Sequence, residues 1–216
     1  MKKQDKLELT EAQIDWLSKC TECDEEYSIY QQEPSEGCFS FDPETGLVNI
    51  EGKFDCSDQD LEDFKGVRFG IVDGYFNCSG NKLKSLYGAP KKVTGRIEND
   101  GSQTRGYGDF ICCYNQLTSL KGAPNRVDLT FDCSGNQLTS LKGSPKKVGQ
   151  NFYCGKNLLT SLEGGPKEVE HCYSCSDNQL TSLKGAPKEV GGYFSYGGNP
   201  FTSLDGAPKA GWGLHK

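Results

Sequence analysis

From Leu129 to Ser134, apolar Phe131 and Cys133 alternate with polar Thr130, Asp132 and Ser134. A period of two predicts a short β-strand with one buried face. Leu138 and Leu141 follow, then the breaker Gly143-Ser144-Pro145 and Val148, after which the pattern starts again at Phe152. Aligning Asn81, Asn115, Asn136, Asn157, Asn178 and Asn199 gives intervals of 34, 21, 21, 21 and 21 residues, so one period carries 13 extra residues. The unit reads approximately F-x-C-S-x-N-x-L-T-S-L-x-G-A-P-K-x-V. A degenerate earlier copy has Phe54, Cys56, Leu61, Phe64 and Gly66, with Gln59 in place of the Asn. The chain therefore holds about seven coils of 21–22 residues, the first and last imperfect.

Repetition at this period is the mark of a solenoid, in which neighbouring coils complete one another's core. Strands stacked in parallel at about 4.8 Å would carry seven coils along roughly 29 Å of sheet. Two inward columns are expected: Phe54, Phe76, Phe110, Phe131, Phe152, Tyr173 and Phe194, and Cys56, Cys78, Cys112, Cys133, Cys154, Cys175 and Tyr196. The Asn column supplies carboxamides to the backbone of a buried turn. The Gly-Ala-Pro runs, such as Gly122 to Pro124, break the chain on the opposite side, where turns and extended segments are expected with little helix.

These residues carry a family resemblance. The run x-C-S-x-N-x-L-T-S-L resembles the leucine-rich repeat with Cys replacing one strand leucine, and is similar to the short bacterial subclass with L-T-S-L-P. The G-A-P-K-x-V-G-G version resembles repeat proteins of large tailed bacteriophages. The resemblance implies a leucine-rich-repeat solenoid of the α/β class, mostly short parallel strands and turns, over residues 48–211. It also implies partner binding on the concave face of the sheet.

Ahead of the array, residues 1–47 read as a cap. Thr10-Glu11-Ala12-Gln13 has the form of a capping box, predicting a helix over about 11–19 with Ile14 and Leu17 on the face that covers the first coil. Tyr27 to Phe41 and Leu47 to Phe54 read as extended, joined by a turn at Asp42-Pro43-Glu44-Thr45-Gly46. Residues 212–216 form a C-terminal tail, a minimal cap whose poor cover would permit self-association.

Composition changes this picture in three places. First, the 216 residues include 27 glycines and 11 cysteines. Most of the glycine excess falls in repeated turns, and six cysteines fall in one core column, where free thiols act as small hydrophobes. That column predicts reduced thiols and a reducing compartment. Outside it lie Cys20, Cys23, Cys38, Cys113 and Cys172; Cys20-x-x-Cys23 with Cys38 would still need a fourth ligand to hold zinc, and a redox pair is the other reading. Second, residues 1–65 hold 18 Asp/Glu and 6 Lys/Arg, a net of −12, whereas the remainder holds 12 and 18, a net of +6. Third, no stretch reaches the roughly 18 apolar residues of a membrane helix, and the polar start has no signal-peptide core, so a cytoplasmic protein is expected.

Candidate binding residues are outward strand positions, which vary from coil to coil while the inward columns repeat. One row is Lys53, Tyr75, Asp109, Thr130, Asn151, Cys172 and Tyr193; the next is Asp55, Asn77, Ile111, Asp132, Tyr153, Ser174 and Ser195. Tyr75, Asn77, Asp109, Ile111, Tyr114, Asp132, Tyr153 and Tyr193 form the expected partner-binding set, because exposed tyrosine gives a large amphipathic contact. Cross-strand packing of half-exposed aromatics is the plainer reading of the same residues.

The insertion, about residues 96–109, is a polar loop whose candidate contacts are Arg96, Glu98, Asp100, Arg105 and Tyr107. A lysine stripe (Lys91, Lys92, Arg126, Lys146, Lys147, Lys167, Lys188, Lys209) could follow a nucleic-acid backbone, but Glu168 and Glu189 interrupt it and no aromatics interleave. With only His171 and His215 as histidines, few catalytic constellations are open. The expected function is non-enzymatic binding of another protein, in the bacteriophage case a host protein, with no cofactor and no metal. The alternatives are a small-ligand or metal-dependent activity at Asp55, Asp109 and Asp132, and nucleic-acid binding by the lysine stripe.

Overall fold

The computed structural model describes residues 7–22, 38–95, 97–99, 104–106 and 108–216, with backbone alone over 97–99 and 104–106. Helix α1 (Glu11–Cys20) begins at the predicted capping box. Thr10 Oγ1 accepts the Gln13 N–H at 3.3 Å, and Gln13 Oε1 accepts the Thr10 N–H at 2.9 Å. Its inner face departs from the expectation: Ile14 is 44% exposed, whereas Trp16, Leu17 and Cys20 are buried. Gln13 joins that face, its amide donating to the Lys65 carbonyl at 2.9 Å. Positions 13, 16, 17 and 20 form one helical face, and the indole there covers more of the first coil than an isoleucine could. Trp16 meets Phe54 edge-on, ring centroids 5.5 Å apart.

Strands β1 (Thr21–Glu22) and β2 (Phe39–Asp42) pair antiparallel with β3 (Leu47–Asp55). The predicted turn between β2 and β3 is held by the Asp42 carboxylate, which accepts from the Glu44 N–H at 2.8 Å and the Thr45 hydroxyl at 2.6 Å. Of the extended segment expected over 27–41, residues 27–37 lie outside the described residues.

Next to β3 lies parallel β4 (Phe69–Asn77), where the sheet forks. Ile71 to Asp73 pair with β5 (Lys92–Thr94). The insertion then forms an antiparallel hairpin, β6 (Ile97–Asn99) with β7 (Thr104–Gly106), in place of the loop expected there. Phe76 and Asn77 pair with β8 (Phe110–Ile111). Each later coil contributes two short strands: β9 (Arg126–Val127) and β10 (Phe131–Asp132), β11 (Lys147–Val148) and β12 (Phe152–Tyr153), β13 (Glu168–Val169) and β14 (Tyr173–Ser174), β15 (Glu189–Val190) and β16 (Tyr193–Ser195), β17 (Lys209–Ala210) and β18 (Gly213–His215). The odd-numbered strands continue from β5 and the even-numbered ones from β8, all parallel. The result is a parallel β-solenoid of about seven turns, with α1 the single helix among the described residues. The odd-numbered ladder ends at Ala210, while the even-numbered one runs on through His215, into the residues read as a tail.

The inward columns pack as the alternation requires. Phe76, Phe110, Phe131 and Phe152 stack with centroids 5.3, 5.5 and 5.6 Å apart and planes within 10°. Cys56, Cys78, Cys112, Cys133, Cys154 and Cys175 are buried free thiols. Burial pushes every one of them above the ordinary thiol value, because a thiolate there would lose its hydration. The Asn column stitches coil to coil. The Asn136 amide donates to the carbonyls of Cys112 and Cys133 at 3.1 Å each, and its Oδ1 accepts the Leu117 N–H at 3.0 Å.

Unusual backbone angles fall one residue before each Asn of the column, and before Gln59 in the first coil. Asp58, Gly80, Tyr114, Gly135, Lys156, Asp177 and Gly198 all take φ between 51° and 67°. Bulky residues are strained there. Tyr114 lies with its ring against Gly135 of the next coil, where an added Cβ would come within 2.6 Å of the ring.

Candidate functional site

The outward positions of the even-numbered ladder form a half-buried surface whose two ends differ in chemistry. At the first end, Lys53 and Tyr75 are register partners, and the Phe76–Phe110 register sets Asp109 on the rung beyond Tyr75. In the neighbouring row Asp132 stands between Ile111 and Tyr153. Asp55 accepts from the Ser57 hydroxyl at 2.6 Å and from the Asn77 amide at 3.2 Å, and Lys53 Nζ lies 3.9 Å from it. Asn77, expected to contact a partner, is buried and committed to this network, its Oδ1 accepting from Ser79 N–H and hydroxyl at 3.0 and 2.7 Å.

Burial dominates the electrostatics of this end. It raises the Asp109 carboxyl above its ordinary value, against the hydrogen bonds from Thr130 that favour the charged form. It does the same at Asp132, against the bonds from Ser134 and the Cys113 thiol. At Asp55 burial also pushes upward, but the bonds from Ser57 and Asn77 with the nearby Lys53 charge outweigh it, and the net shift is down. The Tyr75 phenol is pushed up to about 12 by burial and by the charges of Asp55 and Asp109. Tyr153 moves the same way, through burial first and then Cys172 and Asp132.

At the other end the surface is aromatic. Tyr193, 41% exposed, meets Trp212 at 5.1 Å and His215 at 4.5 Å, and Trp212 meets His171 at 4.6 Å, all edge-on. Between the two ends, Asn151 Oδ1 accepts the Cys172 N–H at 3.1 Å and lies 3.2 Å from His171 Nδ1. The expected binding set is thus divided: Tyr75, Asp109, Ile111, Asp132 and Tyr153 cluster at one end, Tyr193 belongs to the other, and Tyr114 stands beside the ladder at the strained turn, 59% exposed. Trp212, His171 and His215 were absent from that set. Trp212 falls opposite Gly192 of the preceding coil, outside the two outward rows read from the sequence, so those rows did not point to it.

In the insertion, Arg96, Asp100 and Tyr107 lie outside the described residues, while Glu98 and Arg105 are register partners across the β6–β7 hairpin. The lysine stripe borders the odd-numbered ladder, where Lys92, Arg126 and Lys147 occupy adjacent rungs followed by Glu168. Arg126 pairs with Asp128, Lys147 with Glu170 at 3.8 Å and Lys209 with Glu189 at 3.9 Å. Two shallow open depressions lie off the candidate face, one lined by Gly185, Pro187, Asp205 and Gly206, the other by Gly95, Arg126, Lys147 and Glu170.

Among the described residues no three His, Cys, Asp or Glu side chains converge to hold a metal ion, and Asp55, Asp109 and Asp132 stay on separate rungs. Of the proposed zinc ligands, Cys20 is buried under the cap as a free thiol with the Gln59 amide at 3.4 Å, Cys38 is disulfide-bonded, and Cys23 lies outside the described residues. The disulfide takes Cys38 out of any such ligand set.

The fold and this surface define the class as a parallel β-solenoid with a variable, half-buried outer sheet face. In comparison with known proteins, the chain matches no family model, no curated protein and no solved structure. No helix among the described residues is long and apolar enough to cross a membrane.

Proposed function

We infer that this chain is a non-enzymatic leucine-rich-repeat protein that binds another protein through the outer face of its even-numbered ladder and the adjoining insertion. The observation that supports this most is the contrast between the two sides of one strand. Phe110, Phe131 and Phe152 repeat inward and stack, while on the other side the same rungs change from Asp109 to Thr130 to Asn151 and from Ile111 to Asp132 to Tyr153. Repetition serves the core; variation leaves a surface whose shape and charge are particular to this molecule. Half-buried tyrosines on such a rigid support are suited to be interface anchors. The resemblance to bacteriophage repeat arrays makes a host protein the first partner class to search.

A pull-down comparing the native chain with the triple change Tyr75→Ala, Tyr153→Ala and Tyr193→Ala tests this reading. Loss of the captured partner with an unchanged far-UV circular dichroism spectrum is the expected result. Retention of every partner at full affinity refutes it.

A further inference from the structure

The charge of this molecule is sorted by face. Over the first coils, the outward positions carry Glu51, Asp55, Asp73, Asp109 and Asp132, with Glu51 and Asp73 as register partners. Among the described residues of the same rows Lys53 is the one cation, and it lies beside Asp55. Residues 66–216 nevertheless carry a net +6 by count, 18 Lys/Arg against 12 Asp/Glu. Of their cations, Lys92, Arg126, Lys147 and Lys209 sit on strands of the odd-numbered ladder, and Arg105 on β7 of the insertion. The acidity is therefore a property of this surface and not of the bulk chain.

Asp109 and Asp132 have no Lys or Arg partner among the described residues. Asp109 accepts from the Thr130 N–H at 2.8 Å, and Asp132 from the Ser134 N–H at 2.8 Å. These bonds hold the carboxylates in place without neutralising them. Each stands one rung from a phenol, Asp109 from Tyr75 and Asp132 from Tyr153. A carboxylate beside an aromatic ring is a pairing that suits a guanidinium or ammonium group, which donates charge-assisted hydrogen bonds to the carboxylate and meets the negative face of the ring. Burial holds both carboxyls above their ordinary value, so an arriving cation would relieve an existing electrostatic cost.

We propose that this acidic, tyrosine-bearing end of the outer face selects a cationic partner, an extended polypeptide segment that presents arginine or lysine side chains to Asp109 with Tyr75 and to Asp132 with Tyr153. The proposal rests on the outer-face binding reading and adds the partner's chemistry to it. Adjacent rungs at about 4.8 Å put the two subsites within reach of side chains at alternate positions of one extended strand.

Calorimetric titration of the full chain with a synthetic peptide of alternating arginine and glycine, and with its glutamate counterpart, tests the proposal. The arginine peptide should bind, more weakly as salt is raised, and the glutamate peptide should not. The isosteric pair Asp109→Asn and Asp132→Asn keeps the acceptors for Thr130 and Ser134 and should weaken binding by roughly tenfold or more, the size of one lost charge-assisted contact. Glu163→Gln with Glu189→Gln makes the same change in net charge away from this surface and should leave affinity within about twofold. No binding of the arginine peptide, equal binding of both peptides, or equal losses in the two paired variants would overturn the proposal. If the tyrosine triple variant loses its pulled-down partner while the asparagine pair keeps it, the outer-face reading stands and the cationic one fails. If neither variant loses it, both fail.

Discussion

Tyr173 is the one aromatic of the central column that carries a hydroxyl, and that oxygen is buried beside the Cys154 thiol without a hydrogen bond of good geometry. The column would be expected to exclude it, since an unsatisfied buried polar group costs about 1–3 kcal/mol. Its accommodation depends on Gly165, which stands where other coils have Ala89, Ala123, Ser144, Ala186 or Ala207. A Cβ added at Gly165 would lie 3.3 Å from the Tyr173 oxygen and 3.0 Å from Leu141 Cδ1. Tyr173→Phe should therefore stabilise the protein by about 1 kcal/mol, and Gly165→Ala should destabilise it by about 1–3 kcal/mol. The penalty at Gly165 should shrink in the Tyr173→Phe background. Urea denaturation of the four members of this double-mutant cycle would measure the coupling, and strict additivity would show that the two positions are independent. The exchange of alanine for glycine was present in the sequence, but its reason was not. It lies in a residue eight positions along the chain that reaches back across the core.

At the scale of elements, α1 closes the first coil, and its contribution is concentrated in Trp16. The indole packs against Phe54 and Phe69, and its N–H donates to Gln59 Oε1 at 3.0 Å. Gln59 stands in the degenerate coil where later coils have their αL-to-Asn turn. There the side chain serves the cap, while Asn81 Oδ1 accepts the Gln59 and Leu61 N–H groups. Trp16→Ala should cost about 3–5 kcal/mol. Because coils communicate only with neighbours, hydrogen exchange should accelerate first in β3 and β4 and least in β14 and β16. Uniform acceleration along the array would show that the cap governs the whole solenoid. The existence of α1 was legible from its capping box; of its inward face Leu17 was legible, while Ile14 stands exposed and Trp16 and Cys20 take the place expected for it. Ile14 and Leu17 satisfied the helical period, yet the orientation was decided by which face could offer a large ring to Phe54 and a donor to the Lys65 carbonyl.

For the whole molecule, the two kinds of aspartate make opposite contributions to stability against pH. Asp109 and Asp132 hold protons more tightly folded than unfolded, so their contribution grows as pH falls from their raised folded values toward the ordinary 3.8. Asp42 and Asp55 are depressed, so theirs is present above 3.8 and lost as pH falls through their lower folded values. Thermal melts from neutral to acid pH should pass through a maximum in mildly acidic solution before the fall. Asp109→Asn with Asp132→Asn should raise the melting temperature at pH 7 and flatten the rise toward that maximum. A native curve that declines monotonically from pH 7 would contradict this assignment.

The sequence by itself determined the period, the number of coils, the inward aromatic and cysteine columns and the polar stitch of asparagines. Each of these is set within one coil and then repeated, so local alternation and a fixed interval suffice to expose them. Only the tertiary structure decided what depends on register between coils. It forks the sheet at β4 into two ladders, making paired strands of the Val127, Val148 and Val169 segments on the side expected to hold turns and extended segments. It assigns the left-handed angle to the residue before each asparagine of the column. It also divides the expected surface into an acidic phenolic end and an aromatic end containing Trp212, and turns a charge difference between two halves of the chain into a difference between faces. Neighbours on that surface are 20 to 22 or 34 residues apart in sequence, and their chemistry combines only once the coils are stacked.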